Sequence, residues 1–366
     1  MATTVPDRSS DDTRDDNFVA TSHRGLTYPF GDRAPELGDL IPVAPGIGWG
    51  RLPLRGSLGH VNVYALDDGA GGDAVTLVDS GMNLGRCKKH WKAIFDGPLA
   101  GREVLRVIGT HMHPDHVGLA GWLCERFDCR LWMTRGEWLT IRMLAADARD
   151  ETPAEMIAFW QGAGWTDEQI ETAAAKGWGR IAQIITPLPL GYRRIGDGET
   201  IAIGSRTWQV IVGSGHSPEH ACLYDPAEGV LLAGDQVLPR ISSNVSLGVT
   251  EPESDPLGEW LASIEKLRAL PPDILVCPGH GSPFHGLHKR LDALRDEHRK
   301  RLDMLEAHLS EPRRAVDCFG RMFRRTIGED VIGLATGETL AHLRRLEVEG
   351  RAIRTVRDGV WWYAAA

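Results

Sequence analysis

Three imidazoles and a carboxylate fall within six residues at His111-Met112-His113-Pro114-Asp115-His116. All four are good ligands for a divalent transition metal. A cluster alone is not a site, because it needs matching ligands elsewhere in the chain. This sequence supplies them in one recurring context: a short apolar run stops at small residues, and a metal-type ligand follows. The run 104–108 passes through Gly109-Thr110 to His111, and the run 208–212 passes through Gly213-Ser214-Gly215 to His216. The run 230–234 meets Asp235, and 274–279 meets His280. Length, β-branched content and glycine boundary predict a buried strand in each case. Glycine at the exit lets the backbone turn sharply and approach a neighbour closely. The ligands would then sit on loops at the carboxyl ends of strands, held by a rigid sheet.

The candidate metal set is His111, His113, Asp115, His116, His216, Asp235 and His280, five histidines and two aspartates. A zinc ion takes about four ligands, with one position open in catalytic sites, so this set suits two metals better than one. Asp235 is the natural bridge, since a carboxylate offers two oxygens and an imidazole one free lone pair. The absence of thiolate favours zinc, with iron or manganese as alternatives, over a structural cysteine-rich site.

The elements that must position these ligands form an α/β pattern. Strands at 61–66 and 74–79 flank a hairpin-type loop at 67–73, and 117–127 reads as a helix directly after the histidine cluster. Residues 135–185 interrupt the strand series with helical spacing. Thr152 as N-cap with Pro153 at the first helical position marks one start there. Thr166 with Gln169 forms a capping box at another. This segment carries Trp138, Met143, Met156, Phe159, Trp160, Trp165 and Trp178. They suit a helical cap with an apolar acyl or aromatic pocket, or equally the helices' own core contacts. A charged helix spans 288–309 and Glu311-Pro312 breaks it. A tail follows, with a helix at 338–346 whose start reads at Thr336–Thr339, a stop at Gly350, and strands at 352–356 and 360–363 around the Asp358-Gly359 turn. Helices followed by a hairpin give a winged-helix outline.

Composition bounds the function. The chain has 366 residues and a formal net charge of -9, which argues against a primarily electrostatic nucleic-acid binder. The six cysteines contain no C-x-x-C pair and read as small buried hydrophobes in a reducing compartment. No apolar run is long enough for a membrane span, and the polar N-terminus lacks a secretory core, so the expectation is a cytoplasmic protein. Residues 1–20 are expected to be a disordered tail.

The combination His111-x-His113-x-Asp115-His116, His216, Asp235 and His280 resembles the metallo-β-lactamase-fold hydrolases over about residues 40–285. The resemblance implies an αββα sandwich at 21–309 with a helical cap insertion at 135–185 and a winged-helix-like domain at 310–366. It places His111, His113 and His216 on one metal, and Asp115, His116 and His280 on the other, with Asp235 bridging. It also implies a binuclear hydrolase whose metal-bridging hydroxide attacks a carbonyl, with Asp115 as the candidate catalytic residue that orients that water or shuttles its proton, or equally as a metal ligand alone. The β-lactamases of this fold lack the bridging aspartate, and the flavodiiron branch has Glu where this chain has His113. The stretches 215–220 (Gly-His-Ser-Pro-Glu-His) and 278–281 (Pro-Gly-His-Gly) look like the glyoxalase II and lactonase group. The expected substrate is therefore a small thioester, lactone or other ester; β-lactam hydrolysis as a side activity is one alternative.

The tail resembles that of a lactamase-like thioesterase and endoribonuclease branch, so a metal-dependent nuclease is the alternative. From 312 onward the tail holds ten arginines and seven acids, a small electrostatic footprint, although Arg321, Arg324 and Arg325 cluster. It could instead serve a homodimer. His220, His285 and His288 read as supporting or surface residues, and Asn62, Tyr192 and Tyr224 as candidates for substrate contact. No further residue is assigned to substrate.

Overall fold

The computed structural model describes residues 20–56, 58–69 and 71–366. The tail expected to be disordered therefore lies, apart from residue 20, outside the described residues. A short hairpin, β1 (Thr21–His23) and β2 (Leu26–Tyr28), precedes two sheets. The first sheet has seven strands in sequence order: β3 (Ile41–Ala44), β4 (Ile47–Pro53), β5 (His60–Asp67), β6 (Ala74–Val78), β7 (Glu103–Ile108), β8 (Arg130–Met133) and β9 (Arg193–Arg194). It is antiparallel from β3 to β6 and parallel from β6 to β9. The second has five: β10 (Thr200–Ile203), β11 (Arg206–Gly213), β12 (His220–Asp225), β13 (Val230–Gly234) and β14 (Leu275–Pro278). Only its β13–β14 pair is parallel.

Three apolar clusters show how the layers stack. Ile41, Trp49, Leu66 and Ile108 from the first sheet pack with Ile201, Trp208, Leu223 and Leu232 from the second, so the sheets face each other. The outer face of the first sheet (Val63, Leu77, Val107) is covered by α1 (Gly85–Asp96), through Trp91 and Ile94, and by α3 (Ala120–Phe127), through Leu123. The outer face of the second (Leu231, Ala233, Val276) is covered by α8 (Pro256–Leu267) and α9 (Leu287–His308). This is the αββα sandwich. It explains why β6, β13 and β14, buried on both faces, read as largely apolar runs instead of alternating ones.

The helix expected at 117–127 is divided. A short α2 (Pro114–Val117) ends at Gly118, and α3 begins at Ala120. Leu119 N–H donates to Gly81 O, and Gly118 O accepts from Thr186, so the backbone groups that would continue the helix serve neighbouring segments. The insertion holds α4 (Arg135–Ala146), α5 (Ala154–Ala163), α6 (Asp167–Ala174) and α7 (Ile181–Ile184). The Thr166–Gln169 capping box is present at α6. Thr152 is not the cap of α5: Pro153 takes that position with extended backbone, and the Thr152 hydroxyl donates to Ala174 O.

In the tail, α10 (Phe319–Met322) precedes α11 (Ile332–Val348), which starts before the Thr336 expected to open it. Thr336 is buried inside that helix and accepts a hydrogen bond from Trp165 Nε1. The hairpin β15 (Ala352–Arg357) and β16 (Val360–Ala365) turns at Asp358 (φ 52°) and Gly359 (φ 79°), the two left-handed positions of a tight hairpin turn. Leu340, Leu343, Leu346 and Tyr363 of the tail join the cluster that α8 and α9 build on the second sheet. Phe159 of the insertion meets Trp361 edge-on in the same region, at 5.6 Å between ring centres.

Candidate metal centre

The ligand-type residues meet where the two sheets touch along one edge. Ala221 N–H, in β12, donates to Thr110 O, which follows β7. Asn62 N–H, in β5, donates to Gly279 O, which follows β14. Parallel pairing of β13 with β14 sets Gly234 opposite Pro278, which brings Asp235, one residue on, close to His280, two residues on. His113 sits just before α2, with Pro114 in the first helical position, and α2 carries Asp115 and His116 in a single turn.

All seven residues converge. His111 Nε2 lies 2.9 Å from His113 Nδ1, His113 Nδ1 3.1 Å from His216 Nε2, and His216 Nε2 3.3 Å from His111 Nε2. His280 Nε2 lies 3.3 Å from both Asp115 Oδ2 and Asp235 Oδ2. Asp235 reaches both groups: its Oδ1 is 3.4 Å from His116 Nε2 and its Oδ2 3.6 Å from His216 Nε2. The ligand atoms fall into three clusters suited to a metal ion: His111/His113/His216, Asp115/His116/His280, and His111/His116/Asp235 between them.

The donor set fits cations on the evidence of its hydrogen bonds. His116 Nδ1 is 2.7 Å from Asp79 Oδ2, His216 Nδ1 2.7 Å from Asn244 O, and His280 Nδ1 2.7 Å from His60 O. An oxygen acceptor at Nδ1 places the proton there and leaves the lone pair on Nε2. His111 Nδ1 lies 3.0 Å from the Thr110 hydroxyl, which in turn donates to Asp79, so it follows the same rule. The Nε2 lone pairs therefore point inward at one another. His116 Nε2, His280 Nε2 and Asp235 Oδ1 are buried without a hydrogen-bond partner among the described residues. A positive ion is what such a constellation can accept.

Electrostatics agree. Burial, then neighbouring imidazoles, holds His111 well below the usual histidine range and His113 down to about 3. Burial works against ionising Asp115 and Asp235, yet the facing histidines prevail and keep Asp115 at about 2 and Asp235 well below the carboxylate range. His280 is pushed up to about 10 and His116 well above its usual value: burial opposes their charge, and the surrounding aspartates outweigh it. The acidic half of the site thus draws in positive charge.

The family follows from the chain at large. Residues 56–280 match the model of the metallo-beta-lactamase superfamily. The chain belongs to the metallo-beta-lactamase superfamily. Residues 302–366 match a second model of that group, the metallo-beta-lactamase-like C-terminal domain. The crystal structure of a beta-lactamase domain protein from Burkholderia ambifaria is 41% identical, with a TM-score of 0.86, covering 93% of this chain and 98% of that one. The probable metallo-hydrolase YqjP of Bacillus subtilis is 26% identical over 316 residues, 84% of this chain and 94% of its own length. A hydroxyacylglutathione hydrolase of Jannaschia sp. is 32% identical over 111 residues, 30% of this chain and 40% of that protein. Proteins of this superfamily bind divalent metals, typically two, and the histidine and aspartate groups here fit such a site.

Several residues that support this site lie outside the candidate ligand set. Asp79 anchors both His116 and, through Thr110, His111. It follows an apolar run, as the ligands do, and that pattern was its available signal. His220, expected to be supporting or surface, is fully buried: its Nε2 accepts from Asp235 N–H at 3.0 Å, and its ring stacks on His111 at 4.7 Å. Burial and the neighbouring His216 hold it down to about 3. Gly279 leaves space that a β-carbon would fill, because one built there overlaps Asp235 Oδ1 and lies 2.8 Å from His116 Cε1.

The other candidates fall away from the ligand atoms. Asn62 is fully buried and its amide donates to Pro278 O and Gly281 O, so it holds the His280 loop. Tyr224 packs in the core under α8 and α9, and Tyr192 stacks on Trp138 at 4.4 Å. His285 and His288 bond to Asp273 O and Leu270 O.

Proposed function

We propose that this metallo-hydrolase cleaves a small carbonyl ester, a thioester or lactone, with two divalent metals, zinc favoured, held by His111, His113 and His216 and by Asp115, His116 and His280, with Asp235 shared. The observation that carries this reading is the position of Asp235, whose carboxylate reaches both clusters: Oδ2 lies between His216 and His280, and Oδ1 faces His116. When bound, such cations lower the pKa of water and polarise a carbonyl oxygen. The chain's own groups prepare the site for that work. The Nδ1 partners fix the rings of His111, His116, His216 and His280, and His220 holds the Asp235 backbone. Asp115, ionised and less buried than Asp235, is the group placed to orient a water or accept its proton.

The segment shared with a hydroxyacylglutathione hydrolase supports acyl-thioester chemistry over phosphodiester cleavage. In the tail, Arg313, Arg314, Arg344, Arg345, Arg351 and Arg354 are engaged in ion pairs, which confines the positive charge open to RNA to the other four arginines, Arg321, Arg324, Arg325 and Arg357.

Metal analysis combined with a hydrolysis screen of acyl thioesters, lactones, phosphodiesters and β-lactams tests the proposal. The expected result is two metals per chain, turnover of an ester or thioester, and loss of turnover in Asp235→Ala and His111→Ala with the fold retained. Exclusive phosphodiester cleavage, with RNA retained in a low-salt gel shift, would overturn it. Full turnover by metal-free Asp235→Ala would do the same.

A further inference from the structure

Glu137 lies in the first turn of α4 and is fully buried. A buried carboxylate is expensive unless hydrogen bonds satisfy it. Its Oε2 accepts the N–H of Met112, the residue between His111 and His113, at 2.7 Å. Its Oε1 accepts the Ser217 hydroxyl and the N–H of Glu219, each at 2.7 Å, immediately after His216. One side chain from the helical insertion therefore joins two loops that are about a hundred residues apart in sequence. The junction is reinforced around it: Glu219 Oε2 accepts Gly136 N–H at the start of α4, and the Thr134 hydroxyl donates to Glu219 O, each at 2.7 Å.

Both clamped loops serve the same ligand group, His111/His113/His216. Neither the Asp115/His116/His280 group nor its supports, Asp79 and the carbonyl of His60, contact Glu137 through any hydrogen bond described. We infer that Glu137 is a positioning residue for the His111/His113/His216 half of the metal centre, so that the insertion is part of the metal site's framework. The inference rests on the two-metal reading above.

All three partners of Glu137 are donors, and they approach from two sides. A carboxylate can accept on both oxygens. Glutamine has the same shape but one accepting oxygen, so its NH2 group must face a donor at one of the two loops. Supporting groups of this kind typically change metal affinity by about 10–100-fold.

The test is Zn2+ binding to full-length wild type and Glu137→Gln, measured by competition with a chromophoric chelator. Visible spectra of the Co2+-loaded proteins and thermal unfolding of the metal-free proteins accompany it. The expected result is that Glu137→Gln binds one Zn2+ with wild-type affinity and the other at least 10-fold more weakly, with an altered Co2+ spectrum. A general loss of stability would weaken both metals alike and would overturn the selective role, as would two wild-type affinities. If Glu137→Gln does not fold, Ser217→Ala removes a single donor and is expected to weaken the same Zn2+ several-fold; unchanged affinity there also overturns the inference. Wild type that binds fewer than two Zn2+ would instead refute the two-metal reading itself.

Discussion

Asp79 Oδ2 meets His116 Nδ1 at 2.7 Å, and the same carboxylate accepts the Thr110 N–H at 2.8 Å and the Thr110 hydroxyl. Asp79 does this from a left-handed backbone conformation, φ 62°, which aspartate tolerates better than most residues. Asp79→Ala would strip His116 of its proton acceptor and leave buried donors unpaired. Asp79→Asn keeps the shape but turns one oxygen into a donor, which favours the His116 tautomer with its proton on Nε2, where a lone pair is needed. Both variants are expected to bind Zn2+ about 10–100-fold more weakly, as chelator competition would show. Wild-type affinity in Asp79→Asn would show that the tautomer is not set here.

Gly279→Ala tests how closely the backbone must approach the centre. The added methyl overlaps Asp235 Oδ1, and neighbouring Gly234 O already accepts from Gly279 N–H at 2.7 Å, so the loop has no room to retreat. The expected outcome is loss of at least one bound metal with less than about 3 kcal/mol of destabilisation, the usual range for overpacking. Metal content by elemental analysis and a urea melt report the two effects separately.

Removing residues 309–366 should leave an insoluble chain. Leu340, Leu343 and Leu346 are fully buried and Tyr363 is 1% exposed, packed against the helices that cover the second sheet. At roughly 1.5–3 kcal/mol per buried apolar side chain, their loss rivals the whole stability of a typical domain. The tail also reaches the metal centre: Gly337 O accepts Leu247 N–H, and Glu338 faces Asn244, whose carbonyl orients His216. A soluble, metal-binding truncation with a cooperative melt would contradict this account.

His298 and His342 form a buried pair, Nδ1 to Nε2 at 2.9 Å, far along the chain from the ligands. Burial, then the neighbouring imidazole, holds His298 down to about 2, and burial holds His342 down to about 4. Unfolded histidine titrates near 6.5, so between about 4 and 6.5 the unfolded chain binds more protons than the folded one. Stability contributed by the neutral pair is full above that window and falls as pH drops through it, by roughly 3 kcal/mol for His342. Urea midpoints from pH 7 to pH 4.5 should fall more steeply in wild type than in His298→Leu/His342→Leu. Parallel slopes would refute the assignment.

The candidate ligand residues were legible because they announce themselves locally. An apolar run, a glycine and then His or Asp needs only a few residues of context, and the strands at 61–66, 104–108 and 230–234 lie within about a residue or two of those observed. What escaped depends on distance in sequence. Glu137 meets Met112 and Ser217 across 25 and 80 residues. Nothing in Arg-Gly-Glu-Trp distinguishes it from a solvated helix residue. Backbone acceptors such as Asn244 O and His60 O are equally invisible, since every residue carries a carbonyl. Tertiary competition also displaced caps: the Thr152 hydroxyl has a better partner in Ala174 O than in its own helix, and Thr336 serves Trp165.

Ring orientation is divided between main chain and side chain, and the two are not equally exposed to mutation. His216 and His280 lean on carbonyls of Asn244 and His60, which survive almost any amino-acid replacement at those positions. His116 leans on the Asp79 carboxylate directly, and His111 leans on it through the Thr110 hydroxyl. A random mutational survey of this gene should therefore record Asn244 as far more permissive than Asp79, although each residue steadies a ring of the same centre. Two of the four rings are steadied by groups that every codon supplies, and the other two hang on the codons for Asp79 and Thr110.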